Sequence, residues 1–263
     1  MMFQPVIPMS GLAGWMFLQR TANSQAEAFN NSPRIVRDTE YFEVTIGQVT
    51  SAEELVGDRR LLRVALGAFG LQDDLNNRYL IRTVLEQGTE SNDALANRLS
   101  DDRYQRFAKA FGFGNSSGAL TQDPLFAADI TAKFRARSFE VAVGEQNESM
   151  RLSLNADREL LDLAQSDGSE DTKWFRVLGT PPLRAVFETA LGLPDGFGQL
   201  DIDRQLEIFK DKSRSSLGLE TIDDLAEDSA REDLVRAFLV RDQLKAISFQ
   251  SPTSIALTLL QAR

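Results

Sequence analysis

Leu61-Leu62-Arg63-Val64-Ala65-Leu66-Gly67-Ala68-Phe69-Gly70-Leu71 and Leu183-Arg184-Ala185-Val186-Phe187-Glu188-Thr189-Ala190-Leu191-Gly192-Leu193 are the two stretches whose reading decides the fold. Each places apolar residues three and four apart, the spacing of one buried helix face. Each then ends on a glycine between two large apolar residues. A helix stop of the Schellman type needs that arrangement: a glycine in the left-handed conformation, then an apolar residue folding back on the last turn. At an offset of 122 residues the stretches share Leu61/Leu183, Val64/Val186, Ala68/Ala190, Gly70/Gly192 and Leu71/Leu193. Further on, Asp73 meets Asp195 and Arg82 meets Arg204. The same stop recurs at Phe111-Gly112-Phe113 and Leu217-Gly218-Leu219. The match has two readings, an internal duplication or two corners that converged on one cap chemistry.

Outward from these stretches the pattern stays helical. Ser32-Pro33 starts a helix running to about Gln48, with Ser as N-cap and Pro in the first turn. Ser51-Ala52-Glu53-Glu54 has capping-box spacing, and the helix through Leu61 follows it. Helices are expected over Asp74 to Gln87, Ser91 to Leu99 and Ser100 to Phe111. Gly112 to Thr121 reads as a linker. Asp123-Pro124 opens a long helix carrying Phe126, Ile130 and Phe134 and running to Ala164, with a weak point at Gly144. Further helices are expected over Trp174–Leu178, Pro182–Leu191 and Asp201–Leu217, then from Ser229 to Ile247 and from Ser251 onward. No alternation of period two appears. The expected fold is all-α: a compact multi-helix bundle, with two similar halves if the duplication holds. The expected organisation is a loose N-terminal arm over 1–31, a first helical half over 32–118, and a second over 119–263 opening with a long connecting helix.

The chain has 263 residues, 42% of them hydrophobic and 26% charged, which is ordinary for a soluble globular protein. Its formal net charge of −10 argues against nucleic-acid binding, which needs clustered Lys and Arg to displace counterions. No run of 18 apolar residues occurs, so membrane insertion is not expected. The first basic residue is Arg20, and the N-terminus does not read as a secretory signal peptide. There is no His and no Cys. That removes Ser-His-Asp and Cys-His catalysis, thiol chemistry and the usual structural zinc sites from this sequence.

The remaining chemistry would rest on carboxylates. Asp201-Ile202-Asp203 and Asp223-Asp224 could take a divalent cation, but both stand at expected helix starts, where acids complement the dipole. Asp167 to Asp171 begins like a calcium loop and then has Thr172 where glycine is required. Gly112 to Gly118 misses the dinucleotide fingerprint by one position and follows a helix rather than a strand. Arg59, Arg60, Arg63, Arg78 and Arg82 form either an anion-binding patch or a face of ion pairs with Asp58, Asp74 and Glu86. The apolar ends are more suggestive. Trp15, Phe17 and Leu18 lie in the arm, and Ile255, Leu259 and Leu260 lie in the last helix. Each set either packs on the body or docks on a protein partner or a second copy.

Several segments also resemble one family: Phe17-Leu18-Gln19-Arg20, Ala28-Phe29-Asn30-Asn31-Ser32-Pro33, Asp58 to Leu71, Ala94 to Asp101 with Tyr104, Trp174 to Gly179 and Phe187 to Pro194. Together they resemble domain-of-unknown-function family 1217 of alphaproteobacteria. The resemblance implies a helical protein with no assigned activity and no defined catalytic or binding residues, often encoded near flagellar genes. The expectation is a non-enzymatic protein-interaction protein of flagellar assembly or motility, without cofactor or metal. Its expected location is the cytoplasm, with export through the flagellar apparatus as the alternative. The competing reading is an enzyme, small-ligand protein or divalent-cation binder using carboxylates between the halves.

Overall fold

The computed structural model describes residues 3–249. Thirteen α-helices occur among the described residues: α1 Gly11–Asn30, α2 Pro33–Thr45, α3 Ala52–Gly57, α4 Arg59–Phe69, α5 Arg78–Gln87, α6 Leu95–Arg98, α7 Arg103–Phe111, α8 Phe126–Gly144, α9 Glu148–Ala164, α10 Glu170–Gly179, α11 Pro181–Ala190, α12 Ile202–Leu217 and α13 Asp228–Phe249. Four short 3₁₀ turns join them, and no strand occurs among these residues. The fold is all-α. The expected helix beginning at Ser251 lies outside the described residues.

Residues 3–6 and 21–145 make one compact unit, and residues 7–20 with 146–249 make another. The break expected at 118/119 therefore falls at 145/146. The reason is visible in α8: Ile130, Phe134 and Val143 are buried, and the helix packs on α4, inside the first unit. The weak point at Gly144 is a true break, and Asn147 caps α9 by accepting from Met150 N at 3.1 Å.

The loose arm expected over 1–31 is not seen. Its residues from 11 on form α1, which gives Gly11–Arg20 to the second unit and residues 21–30 to the first. Trp15, Leu18 and Phe29 are buried, so the helix has an apolar face that pays for its order. Gly14, inside this helix, serves a close approach. A Cβ there would stand 2.0 Å from the Met9 carbonyl oxygen. Ahead of α1, Gln25 accepts from Val6 N at 2.6 Å and donates to Val6 O at 3.2 Å, which fixes the leading segment.

Local capping follows the sequence in part. Ser51 accepts from Glu54 N at 3.2 Å, but the Glu54 carboxylate turns to Thr50 N at 2.8 Å instead of closing the box. Asp58 is a second cap: it accepts from Arg60 N and Leu61 N at 2.8 and 3.1 Å and splits the expected single helix into α3 and α4. The full capping box forms at Thr221 and Asp224, ahead of a 3₁₀ turn, whereas Ser229 lies inside α13.

In the first unit α4 is the hub. Leu61, Leu62, Val64, Ala65, Leu66 and Ala68 are at most 2% exposed, and α2, α3, α7 and α8 pack around them. Phe69, Phe107, Phe111 and Phe126 continue this core, with neighbouring ring centroids 5.0 to 5.4 Å apart. In the second unit α11 takes that place between α9, α10 and α13. Trp174, Phe187 and Phe209 pack together there, with centroids 5.6 to 6.3 Å apart.

The helix pairings of the two units correspond. α2–α4, α3–α4, α3–α5, α4–α8 and α2–α8 pack in the first; α9–α11, α10–α11, α10–α12, α11–α13 and α9–α13 pack in the second. The two stretches that decide the fold end alike. Gly70 and Gly192 have φ of 73° and 65°, and Leu71 N and Leu193 N each donate 2.9 Å to Leu66 O and Glu188 O. These are the left-handed stops that the Gly-Leu pairs announced.

Candidate functional site

The acidic pairs are engaged in local structure. Asp201 caps α12 by accepting from Asp203 N at 3.0 Å. Asp223 pairs with the buried Lys173, which also donates to Ala164 O at 3.0 Å. Asp224 closes the capping box, and Asp171 pairs with Lys210. Among the described residues no group of three or more His, Cys, Asp or Glu is placed to hold a metal ion.

Two of the five arginines, Arg63 and Arg82, form ion pairs. Arg63 lies 3.5 Å from Asp38, Arg82 bonds Glu86 at 2.6 Å, and Arg59 donates to Asn76 at 3.2 Å. The Arg60 guanidinium stacks over the Tyr41 ring at 3.8 Å. The Tyr41 hydroxyl in turn donates to Asp58 at 2.6 Å. Burial pushes the Asp58 carboxyl up, but the hydrogen bonds from Tyr41, Leu61 N and Arg60 N outweigh it and hold the group below its usual range. Tyr104 goes the other way. Burial first, then its hydrogen bond to Asp74 at 2.7 Å, raises its phenol well above the ordinary value.

The six candidate docking residues divide sharply. Trp15 is 6% exposed and Leu18 fully buried, so both spend their side chains in the interior, while Phe17 is half-buried. Ile255, Leu259 and Leu260 lie outside the described residues. Among the exposed apolar side chains two lie together on α13. Val240 and Leu244 are 39% and 60% exposed and stand four residues apart, on one helix face. Arg241 and Lys245 flank them, and Leu244, Arg241 and Lys245 edge a shallow hollow with Thr189 and Gly192 of the α11 end. Sequence reasoning missed this face. The apolar positions were legible, but nothing in the pattern distinguished them from the core-facing Leu234, Val235, Phe238 and Leu239 of the same helix.

A second concavity lies in the first unit between α2, α4 and α8, with Phe29 of α1 at its edge, and encloses about 250 Å³. Phe29, Ile35 and Phe134 give it an apolar floor, and Arg34, Arg63 and Asp38 stand among its polar residues. This cleft was also missed, because its lining is drawn from helices up to about a hundred residues apart in the chain.

The fold and these surfaces define a class: all-helical proteins of two compact units, with no helix among the described residues long and apolar enough to cross a membrane. Within that class, residues 68–230 match the model of the family described as protein of unknown function (DUF1217), and the chain belongs to that family. A crystal structure of a protein from Agrobacterium tumefaciens is similar over 92% of this chain and 99% of that one, with a TM-score of 0.73 and 24% identity. At that identity the likeness concerns the fold. No functionally curated protein matches the chain.

Proposed function

We propose that this chain is a non-enzymatic protein-interaction protein that acts in flagellar assembly or motility, and that its partner engages the exposed face of α13. The observation that carries the reading is Val240 and Leu244, exposed at i and i+4 near the end of the chain. Ile247, Ile255, Leu259 and Leu260 follow in sequence. An amphipathic stripe of this kind is what helix-in-groove recognition uses. Arg241 and Lys245 beside it favour a partner surface with apolar anchors and acidic neighbours.

The flagellar part of the proposal rests on the family resemblance, and the non-enzymatic part on a sequence without His or Cys whose paired acids are committed to caps and ion pairs. The proposed location is the cytoplasm, with export through the flagellar apparatus as the alternative. The matched pairings and stops of the two units support a further element of the reading, that they are copies of one helical module.

The test is complementation. A strain deleted for the gene is given either the parent protein or the double variant Val240→Glu/Leu244→Glu, and motility is scored on soft agar. The parent should restore swimming and the variant should not, with helical content and tryptophan fluorescence unchanged. A deletion strain that swims normally, or a variant that complements fully, would refute the proposal.

A further inference from the structure

We propose that the cleft between α2, α4 and α8 is a binding site for a small apolar carboxylate: an acyl or aryl body that ends in one anionic group. This goes beyond the protein-binding role and does not depend on it, because the cleft lies in the first unit and α13 in the second.

The cleft combines an apolar floor with a cationic rim. Its floor is Phe29, Ile35 and Phe134, each at most 6% exposed. Phe134 packs on α4 at Gly67, where a Cβ would stand 2.7 Å from the ring, so any other residue would force the ring to shift. Three arginines and two carboxylates line the site, in a chain whose formal net charge is −10. Asp38 is buried and paired with Arg63 at 3.5 Å, and Glu145 is exposed at the far end of α8. Arg34 has neither an ion-pair nor a hydrogen-bond partner among the described residues, and the Ser138 hydroxyl is likewise without one. The exposed Arg34 guanidinium and the Ser138 hydroxyl both line the apolar hollow, and a carboxylate bound there can take a forked pair of charge-assisted bonds from Arg34.

The second unit sharpens the point. Thr189 stands at the position equivalent to Gly67 under the offset of 122, and Arg241 lies over Gly192 as Arg137 lies over Gly70. The hollow there is open and shallow, edged by Thr189, Arg241 and Leu244. The hollow at Thr189 is the more open of the two to solvent.

The volume sets the ligand's size. A cleft of about 250 Å³ suits a medium-length acyl chain rather than a long one, and octanoate is the probe. The full chain, ¹⁵N-labelled, is titrated with sodium octanoate, octanol and octylammonium while amide shifts are followed. Octanoate should saturate and perturb α2, α4 and α8, with octanol and octylammonium binding roughly tenfold more weakly. Arg34→Gln should lower octanoate affinity about five- to tenfold and leave octanol unchanged. Ala142→Phe, which places a ring in the cleft from the α8 side, should block both. The proposal is overturned if octanoate fails to saturate by about 10 mM, if the three probes bind alike, or if Ala142→Phe keeps its folded spectrum and still binds.

Discussion

Arg231 offers the sharpest test of how the second unit is held together. Its side chain is 6% exposed. It donates to Asp157 of α9 at 2.9 Å, to the carbonyls of Leu225 and Ala226 at 2.8 and 3.0 Å, and to Asp228 at the start of α13. One guanidinium therefore ties α9, the turn at 222–226 and the first turn of α13. Arg231→Met keeps the apolar stem and removes these bonds. The two carboxylates are 51% and 91% exposed, so water takes over their solvation and their loss is cheap. The Leu225 carbonyl is the costly part, at about 1–3 kcal/mol when left unsatisfied in the interior, whereas Ala226 is exposed and water can replace the bond to its carbonyl. The expected cost is therefore about 1–3 kcal/mol.

The assay is urea denaturation followed by tryptophan fluorescence. Both tryptophans, Trp15 and Trp174, belong to the second unit, and all three tyrosines, Tyr41, Tyr79 and Tyr104, belong to the first. The tryptophan signal thus reports the affected unit alone. With a slope of about 1–3 kcal/mol/M for a unit of this size, the midpoint should fall by roughly 0.5–1.5 M without a change of slope. Asp228→Ala, at the exposed partner, should cost under about 1 kcal/mol. If Arg231→Met shifts the midpoint no more than Asp228→Ala does, the clamp described here does not hold the unit.

Other expectations follow from the same geometry. Leu18→Ala should cost about 2–5 kcal/mol by urea denaturation, because the side chain is fully buried, whereas a loose arm would lose nothing. Gly192→Ala forces a Cβ into left-handed backbone and should cost about 1–2 kcal/mol in the same experiment. Asp58→Ala removes the α4 cap and should cost about 0.5–2 kcal/mol at neutral pH. Because the folded state lowers the Asp58 pKa, that contribution is present above the unfolded carboxylate range and fades as pH falls through the folded value, so the gap to the parent should shrink in acid. Tyr104 has a raised folded pKa, so its contribution holds below the ordinary phenol range and is lost above it. Far-UV circular dichroism should show the parent losing stability between about pH 10 and 12 more steeply than Tyr104→Phe.

The helices were legible where apolar spacing and a glycine stop coincided, as at α4, α11 and α12. They were less legible where one cap interrupts another. Asp58 divides α3 from α4 within a continuous helical pattern, and only its side-chain bonds to Arg60 N and Leu61 N reveal the break. The helix over 11–30 was not legible, because a glycine such as Gly14 that admits a close carbonyl looks, in sequence, like one that ends a helix. Of the two acid pairs read as helix-start acids, Asp201 caps α12 by local chemistry, whereas Asp223 pairs with Lys173 and Asp224 closes a box ahead of a 3₁₀ turn. The two surfaces were not legible. Burial on α13 separates Val240 and Leu244 from Leu239 and Phe238, and that separation depends on which helices pack there, a property of tertiary structure.

The most direct test of the proposed role is photo-crosslinking in the living cell, with a benzophenone side chain at position 244 and, as a control, at the exposed Tyr79 in the other unit. The proposed role requires one discrete protein adduct from position 244, absent from position 79 and absent from cells lacking their flagellar genes. An adduct from position 244 that persists without flagellar genes, or no adduct beyond that formed at position 79, would contradict it.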